Sequence, residues 1–327
     1  MPEGRPATVL CADIGGSNTR LALAESRPAG LDLIARQSYA NAEADGLAEL
    51  LRRFLSGNAA PTAACLAVAG PTDGTRVELT NLAWAIDAGH LSDEFGFPIR
   101  LINDFEAVAW GLDTLDAAQL VTLQAGQPLP HAPRLALGPG TGLGVAHSVW
   151  LGDRYGPLPG EGGHVAFAPA DIEQVTLLDF LQAKFGRVSA ERILSGPGIA
   201  DLYAFCRTAS GRPVKRQREA AEVTRAALDG GDPVAGWAMR LFVRILGQTA
   251  GDLALITGAR GGVYLAGGIP PRILPLLEEG EFLAGFRGKG RFSEAMRSVP
   301  VHVVADPDIG LKGAALAAYS MPSRSTR

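Results

Sequence analysis

The residues best suited to chemistry lie in short polar loops that follow apolar runs. Asp13-Ile-Gly-Gly-Ser-Asn-Thr-Arg20 is one such loop. Small residues there let backbone N–H groups point into one space, which suits phosphate oxygens, and Ser17, Asn18 and Thr19 add side-chain donors. Asp13, at the end of the apolar run, suits a divalent metal or a metal-bound water, the usual companion of phosphate. A plain glycine-rich hairpin would have the same composition, and the chain holds no GxxxxGKS or GxxxxGKT phosphate loop. Gly138-Pro-Gly-Thr-Gly142 is a second loop of this kind, with the Thr141 hydroxyl among residues that leave the backbone open. Gly267-Gly268 is a third strand-end glycine pair, after an apolar run at 263–266, against which a nucleotide's adenosine part could lie. Together the three loops favour nucleotide binding.

Two further stretches carry carboxylates. Asn103-Asp104 closes an apolar run containing Ile99, Leu101 and Ile102 and precedes a helix. Polar residues at a strand's carboxyl end commonly line the ligand crevice of α/β folds; alternatively, Asp104 only caps the helix entered at Glu106. Glu161-Gly-Gly-His164 brings an acid and an imidazole together across two glycines. That arrangement suits hydrogen bonds to a hydroxyl-rich ligand, or else a surface turn.

The elements that must position these loops follow from hydrophobic periodicity. Apolar runs predict strands over 9–13, 20–24 and 31–39, then a helix over 46–56 with Leu47, Leu50, Leu51 and Phe54 on one face. Strands are expected over 63–69 and 99–102, a hairpin arm over 75–81, and short helices over 90–96 and 106–112. From 134, a strand–turn–strand unit over 135–149 repeats the design of the opening hairpin about 125 residues later. Helices are predicted over 175–185, 190–194, 197–206, 220–229 and 234–256, strands over 262–265 and 301–304, and a last helix of small residues over 309–319. Two such units, each followed by strands and helices, predict an internally duplicated α/β protein.

Composition narrows the class. A chain of 327 residues is long enough for two domains of about 100–200 residues each. With 47% hydrophobic and 20% charged residues it can bury a sizeable core, which excludes disorder. The 41 glycines exceed the usual share of about 7% and show no Gly-X-Y period, so they belong to loops rather than to collagen. A net charge of -4 argues against nucleic acid or an anionic membrane as the main partner. Cys11, Cys65 and Cys206 show no CxxC spacing and read as reduced thiols of a cytosolic protein. The first residues lack the basic segment and apolar run of a signal peptide. The longest uncharged stretch, 135–152, carries five glycines, a proline and a histidine, a poor membrane span. A soluble, cytoplasmic protein is therefore expected. No GxGxxG follows the first strand with an acid about 20 residues on, which excludes a dinucleotide-dependent oxidoreductase.

Six motifs, DIGGSNTRLAL (13–23), LINDFEAVAWG (101–111), LGPGTGLGVA (137–146), GEGGHVAFAP (160–169), ERILSGPGI (191–199) and YLAGGI (264–269), occur in that order. The set resembles the bacterial ATP-dependent glucokinases of the hexokinase/actin-like ATPase superfamily over nearly the whole chain. The zinc-binding Cys/His cluster of the related repressor/kinase family is missing, as is an N-terminal helix-turn-helix, so the resemblance is to the zinc-free branch. It implies a duplicated ribonuclease H-like (actin/hexokinase-type) α/β fold with two lobes, central mixed sheets and an interlobe cleft. The small lobe would comprise 1–109 plus 307–327 and the large lobe 110–306. The implied activity is phosphorylation of D-glucose at the 6-hydroxyl by MgATP, giving glucose 6-phosphate and ADP, the first step of glycolysis. By the same resemblance Asp104 would be the catalytic base, and Asn103, Glu161, His164 and Glu191 would bind the sugar hydroxyls. Gly70-Pro71 and Asn81 would line the sugar side. Asp13, Gly15, Gly16, Ser17, Thr19 and Arg20 would face the phosphates and Mg²⁺, with Asp13 toward the metal. Gly138, Gly140, Thr141 and Gly142 would form the second phosphate loop, and Gly267 and Gly268 the adenosine end. Ser17-Asn18-Thr19 stands where the family often has Thr-Asn-Ala, a departure that preserves donors. Lobe closure on sugar binding and a homodimer are also implied. A kinase of mannose, fructose or N-acetylglucosamine on the same scaffold is the nearest rival; a non-catalytic sugar sensor or an actin-like ATPase is a rival of another class.

Overall fold

A computed structural model describes residues 8–27, 30–70, 72–78, 84–212, 216 and 218–321. The chain divides into two compact units, one of Met1–Asp116, Tyr155–Pro159 and Asp306–Arg327, the other of Ala117–Arg154 and Gly160–Ala305.

The first unit is built on β1 (Thr8–Ile14), β2 (Asn18–Arg27), β3 (Gly30–Ala40), β4 (Ala63–Val68) and β7 (Ile99–Asn103), with a small arm of β5 (Arg76–Glu78) and β6 (Ala85–Asp87). The sheet order is β3-β2-β1-β4-β7. β1 is antiparallel to β2 and β2 to β3, whereas β1, β4 and β7 run parallel. Alternate residues of β1 serve opposite faces, as a pleated strand buried on both sides requires. Leu10, Ala12 and Ile14 pack with Leu50, Leu51 and Phe54 of the helix Leu47–Ser56. Val9 and Cys11 pack instead with Leu311, Ala314, Ala315 and Ala318 of the helix Ile309–Tyr319. Small side chains on this second face let the helix lie close to the sheet.

The second unit holds β8 (Leu120–Gln124), β9 (Arg134–Pro139), β10 (Leu143–Trp150), β12 (Gly262–Leu265) and β13 (Val301–Val304), and its sheet also includes β11 (Tyr155–Gly160). The order is β11-β10-β9-β12-β13-β8. β9 and β10 are antiparallel, while β9, β12 and β13 are parallel. The run β11-β10-β9-β12-β13 thus repeats β3-β2-β1-β4-β7, so the duplication expected from the hairpins extends to five strands of each sheet, with β8 added at one edge. The longest helix, Pro233–Thr257, starts where the Asp232 carboxylate accepts from the N–H groups of Val234 and Ala235, with Pro233 in the first turn. It ends at Gly258 in the left-handed conformation.

Several elements depart from the sequence expectation. β8 and β11 are additions to it; β11 (Tyr-Gly-Pro-Leu-Pro-Gly) is a strand whose prolines and glycines suppress the usual strand signal, and it is tolerated because it lies at a sheet edge. Residues 274–297, to which the sequence reading assigns no element, carry the short helices Leu274–Glu278, Glu281–Arg287 and Ser293–Arg297.

Candidate functional site

In the first unit, register brings three segments to one sheet edge. Ile14 is level with Val68, and Val68 with Asn103, at the carboxyl ends of three parallel strands. The hairpin that follows β1, the Gly70 turn and the Asn103-Asp104 pair therefore emerge together, where ligands bind open α/β sheets. Asn103 joins two of them. Its Oδ1 accepts from the N–H groups of Phe105 (2.8 Å) and Glu106 (3.3 Å), and its Nδ2 donates to the Gly70 carbonyl at 3.1 Å. The cap of the helix Asp104–Gly111 is therefore Asn103, not Asp104. Asp104 opens the helix as its first residue, half-buried, with Oδ1 accepting from the N–H of Phe105 at 2.9 Å. Pro71 and Asn81 lie outside the described residues.

The first glycine hairpin exposes Gly16, Ser17 and Asn18, with Gly15 partly covered. Thr19 requires a correction. Its side chain is fully buried and its hydroxyl donates to Asn41 Oδ1 at 2.7 Å, so it faces into the unit rather than toward phosphates. The reason is strand alternation: Asn18 and Arg20 stand on one side of β2, and Thr19 on the other. Asp13 and Arg20 are opposed on β1 and β2 and form an ion pair through Arg20 Nη2, with Arg20 Nε 3.2 Å from the same oxygen. Arg20 Nη1 also donates to the Pro307 carbonyl at 2.8 Å and lies 3.7 Å from Asp308. Among the described residues no three His, Cys, Asp or Glu side chains group as a metal site. Mg²⁺ is ordinarily held by one or two carboxylates, with phosphates and waters completing its octahedron. Asp13 fits that part: a hard oxygen donor beside the exposed hairpin, with its side chain 25% exposed.

In the second unit, Gly138 follows Leu137 on β9, which is level with Leu265 on the parallel β12. The 138–142 loop and the Gly267-Gly268 turn thus leave one sheet edge, the counterpart of the edge in the first unit. The Ile269 N–H donates to the Pro139 carbonyl at 3.3 Å, and Gly196 N–H to the Gly140 carbonyl at 2.8 Å, which brings the start of the helix Gly196–Ala209 to the loop. Thr141, Gly267 and Gly268 are exposed, Gly140 and Gly142 partly so, and Gly138 is buried.

Glu191 ties this loop to the second carboxylate motif. Its Oε2 accepts from the Leu143 N–H at 2.9 Å. Gly163 lies against the Leu143 carbonyl so closely that a Cβ there would overlap it, so only glycine admits this approach. The Glu161–His164 turn is thereby held beside Glu191, and Ala190 N–H donates to the Val165 carbonyl at 2.9 Å. The Glu161 and His164 side chains are 60% and 57% exposed, with Oε2 and Nε2 3.8 Å apart, free to turn toward a ligand. Arg187, which the sequence did not single out, fixes the turn by donating to the His164 carbonyl at 2.7 Å.

The Glucokinase family model matches residues 10–321. The chain belongs to the glucokinase family. It is 43% identical over 319 residues to the glucokinase of Chromohalobacter salexigens, covering 97% of this chain and 98% of the other. It is also similar to the crystal structure of a glucokinase from an Antarctic psychrotroph, with a TM-score of 0.88 and 35% identity, covering 97% of this chain and all of that one. The glucokinase of Balamuthia mandrillaris, solved in complex with glucose, gives a TM-score of 0.80 at 25% identity, covering 98% and 95%. Both structures match the fold over almost its whole length. Among the described residues no helix is long and apolar enough to cross a membrane.

Proposed function

We propose that the chain transfers the γ-phosphoryl group of MgATP to the 6-hydroxyl of D-glucose, giving glucose 6-phosphate and ADP, as the entry step of glycolysis. The observation that carries this reading is the family match over residues 10–321, which spans every motif discussed above. Phosphoryl transfer needs positioning and charge neutralisation more than covalent help. Asp104 accepts the proton of the attacking hydroxyl, and the Asn103 cap fixes the turn that carries it. Asn103, Glu161, His164 and Glu191 bind the sugar hydroxyls, with Gly70 beside them. A sugar lacking one hydroxyl leaves these polar groups unpaired, which is the basis of selection. Gly15, Gly16, Ser17 and Arg20 face the phosphates from one loop, and Gly138, Gly140, Thr141 and Gly142 from another; Gly267 and Gly268 lie at the adenosine end. Asp13 would hold Mg²⁺, which when bound would supply neutralisation of the negative charge on the transferring phosphoryl group. In this reading each subunit has a small and a large lobe, and the enzyme works as a cytoplasmic homodimer.

A coupled assay over glucose, mannose, fructose and N-acetylglucosamine, with ATP, ADP and polyphosphate as donors, tests the reading. Glucose with ATP is expected to give the highest kcat/KM; a higher value for another hexose would assign the chain to that sugar. His164→Ala is expected to raise KM for glucose about tenfold, with a smaller change in kcat. Steady-state kinetics over a glucose series checks this, and an unchanged KM removes His164 from the sugar site.

A further inference from the structure

We infer that Asn41 and Thr19 form a clamp behind the first glycine hairpin that sets the direction of its amides and so governs affinity for nucleotide phosphates, an inference that rests on the MgATP reading above. Asn41 begins the short 3₁₀ turn Asn41–Glu43 just after β3 and is 2% exposed; Thr19 is fully buried beside it. Three hydrogen bonds run from this one residue to alternate positions of the hairpin. Asn41 Nδ2 donates to the Gly15 carbonyl at 2.8 Å, its backbone N–H donates to the Ser17 carbonyl at 2.9 Å, and its Oδ1 accepts from the Thr19 hydroxyl at 2.7 Å.

The consequence follows from peptide geometry. In a trans peptide the carbonyl of one residue and the N–H of the next point in opposite directions. Holding the Gly15 and Ser17 carbonyls toward Asn41 therefore turns the N–H groups of Gly16 and Asn18 away from it, on the exposed part of the hairpin. Amides preset in this way bind an anion without first having to be ordered. The Thr19 hydroxyl completes the arrangement by occupying Asn41 Oδ1, so the amide keeps the orientation that presents Nδ2 to Gly15. Asn41 and Thr19 are thus positioning residues that touch no substrate.

Thr19→Val keeps β-branching and volume but removes the hydroxyl, and Asn41→Ala removes both side-chain bonds while leaving the backbone one. Calorimetric titration with the magnesium complex of AMPPNP is expected to show affinity weakened about 5-fold in Thr19→Val and about 10-fold or more in Asn41→Ala. KM for ATP should rise in parallel, while kcat and KM for glucose move less than about twofold. Thr19→Ser restores the hydroxyl and should return AMPPNP affinity to within about twofold of the starting protein. A general loss of folding would instead lower the active fraction and leave KM for ATP unchanged. A folded Thr19→Val protein with unaltered AMPPNP affinity overturns the clamp, and it decides the matter alone if Asn41→Ala does not fold. An unsubstituted protein that binds AMPPNP but leaves glucose unphosphorylated overturns the kinase reading instead, and the binding titrations still judge the clamp.

Discussion

Asp104→Asn is expected to fold normally and to lose about 10²–10⁴-fold or more in kcat, with little change in KM for glucose. The local structure makes this a clean substitution. The helix Asp104–Gly111 is capped by Asn103, so its start does not depend on the Asp104 charge. The Asp104 Oδ1 contact with the Phe105 N–H at 2.9 Å can be made equally by an amide oxygen. Loss of a negative charge in the first turn of a helix costs about 0.3–1 kcal/mol at most surface sites, too little to unfold a domain. What the amide cannot do is accept the proton of an attacking hydroxyl. Steady-state kinetics alongside a thermal melt separates the two effects, and near-normal turnover in a well-folded variant would remove Asp104 from the mechanism.

Gly313→Ala is expected to destabilise the protein by about 3 kcal/mol or more. Gly313 lies in the helix Ile309–Tyr319, where it meets the helix Asp104–Gly111 so closely that a methyl group would overlap the Ala107 carbonyl oxygen and sit 2.8 Å from the Gly111 nitrogen. Both obstacles are backbone, so relief requires the helices to separate. Ala107 is one turn from Asp104, and the strain is therefore delivered next to the proposed base. Gly236→Ala is the matched control: it is also within a helix, with only an Arg240 guanidinium nitrogen nearby at 3.4 Å, and it should be neutral or stabilise by about 0.4–1 kcal/mol. Chemical denaturation of both variants checks the pair. Equal stability for the two would mean that the helices do not pack through Gly313.

These residues also mark how far the sequence can be read. The Asp13–Arg20 hairpin is apparent because its signals are local: an apolar run, two glycines and an apolar return fix strand, turn and register within a few residues. The repeat at Gly138 is apparent for the same reason, and the repeated sheet order follows from it. Thr19 is misplaced by the sequence reading because its partner Asn41 is 22 residues away. A strand's period of two says that alternate side chains face opposite sides, but only Asn41, buried in the turn just after β3, shows what fills the inner one. Asn103 and Asp104 cannot be told apart as cap and base, since adjacent polar residues before a helix give the same signal for either. Arg187 carries no signal, because it acts through a backbone carbonyl that any residue would supply. β11 is hidden by Pro157 and Pro159, which read as loop unless the strand is known to lie at an edge.

In the proposed reaction the chain moves a phosphoryl group from ATP to the 6-hydroxyl of glucose. Phosphorus NMR of the purified protein with MgATP and glucose tests it most directly, because the product is identified by its own resonance rather than through coupling enzymes. The expected spectrum shows ADP and glucose 6-phosphate appearing in equal amounts, with little inorganic phosphate and almost no ATP loss when glucose is left out. ATP consumed to ADP and inorganic phosphate at the same rate with and without glucose would contradict the account.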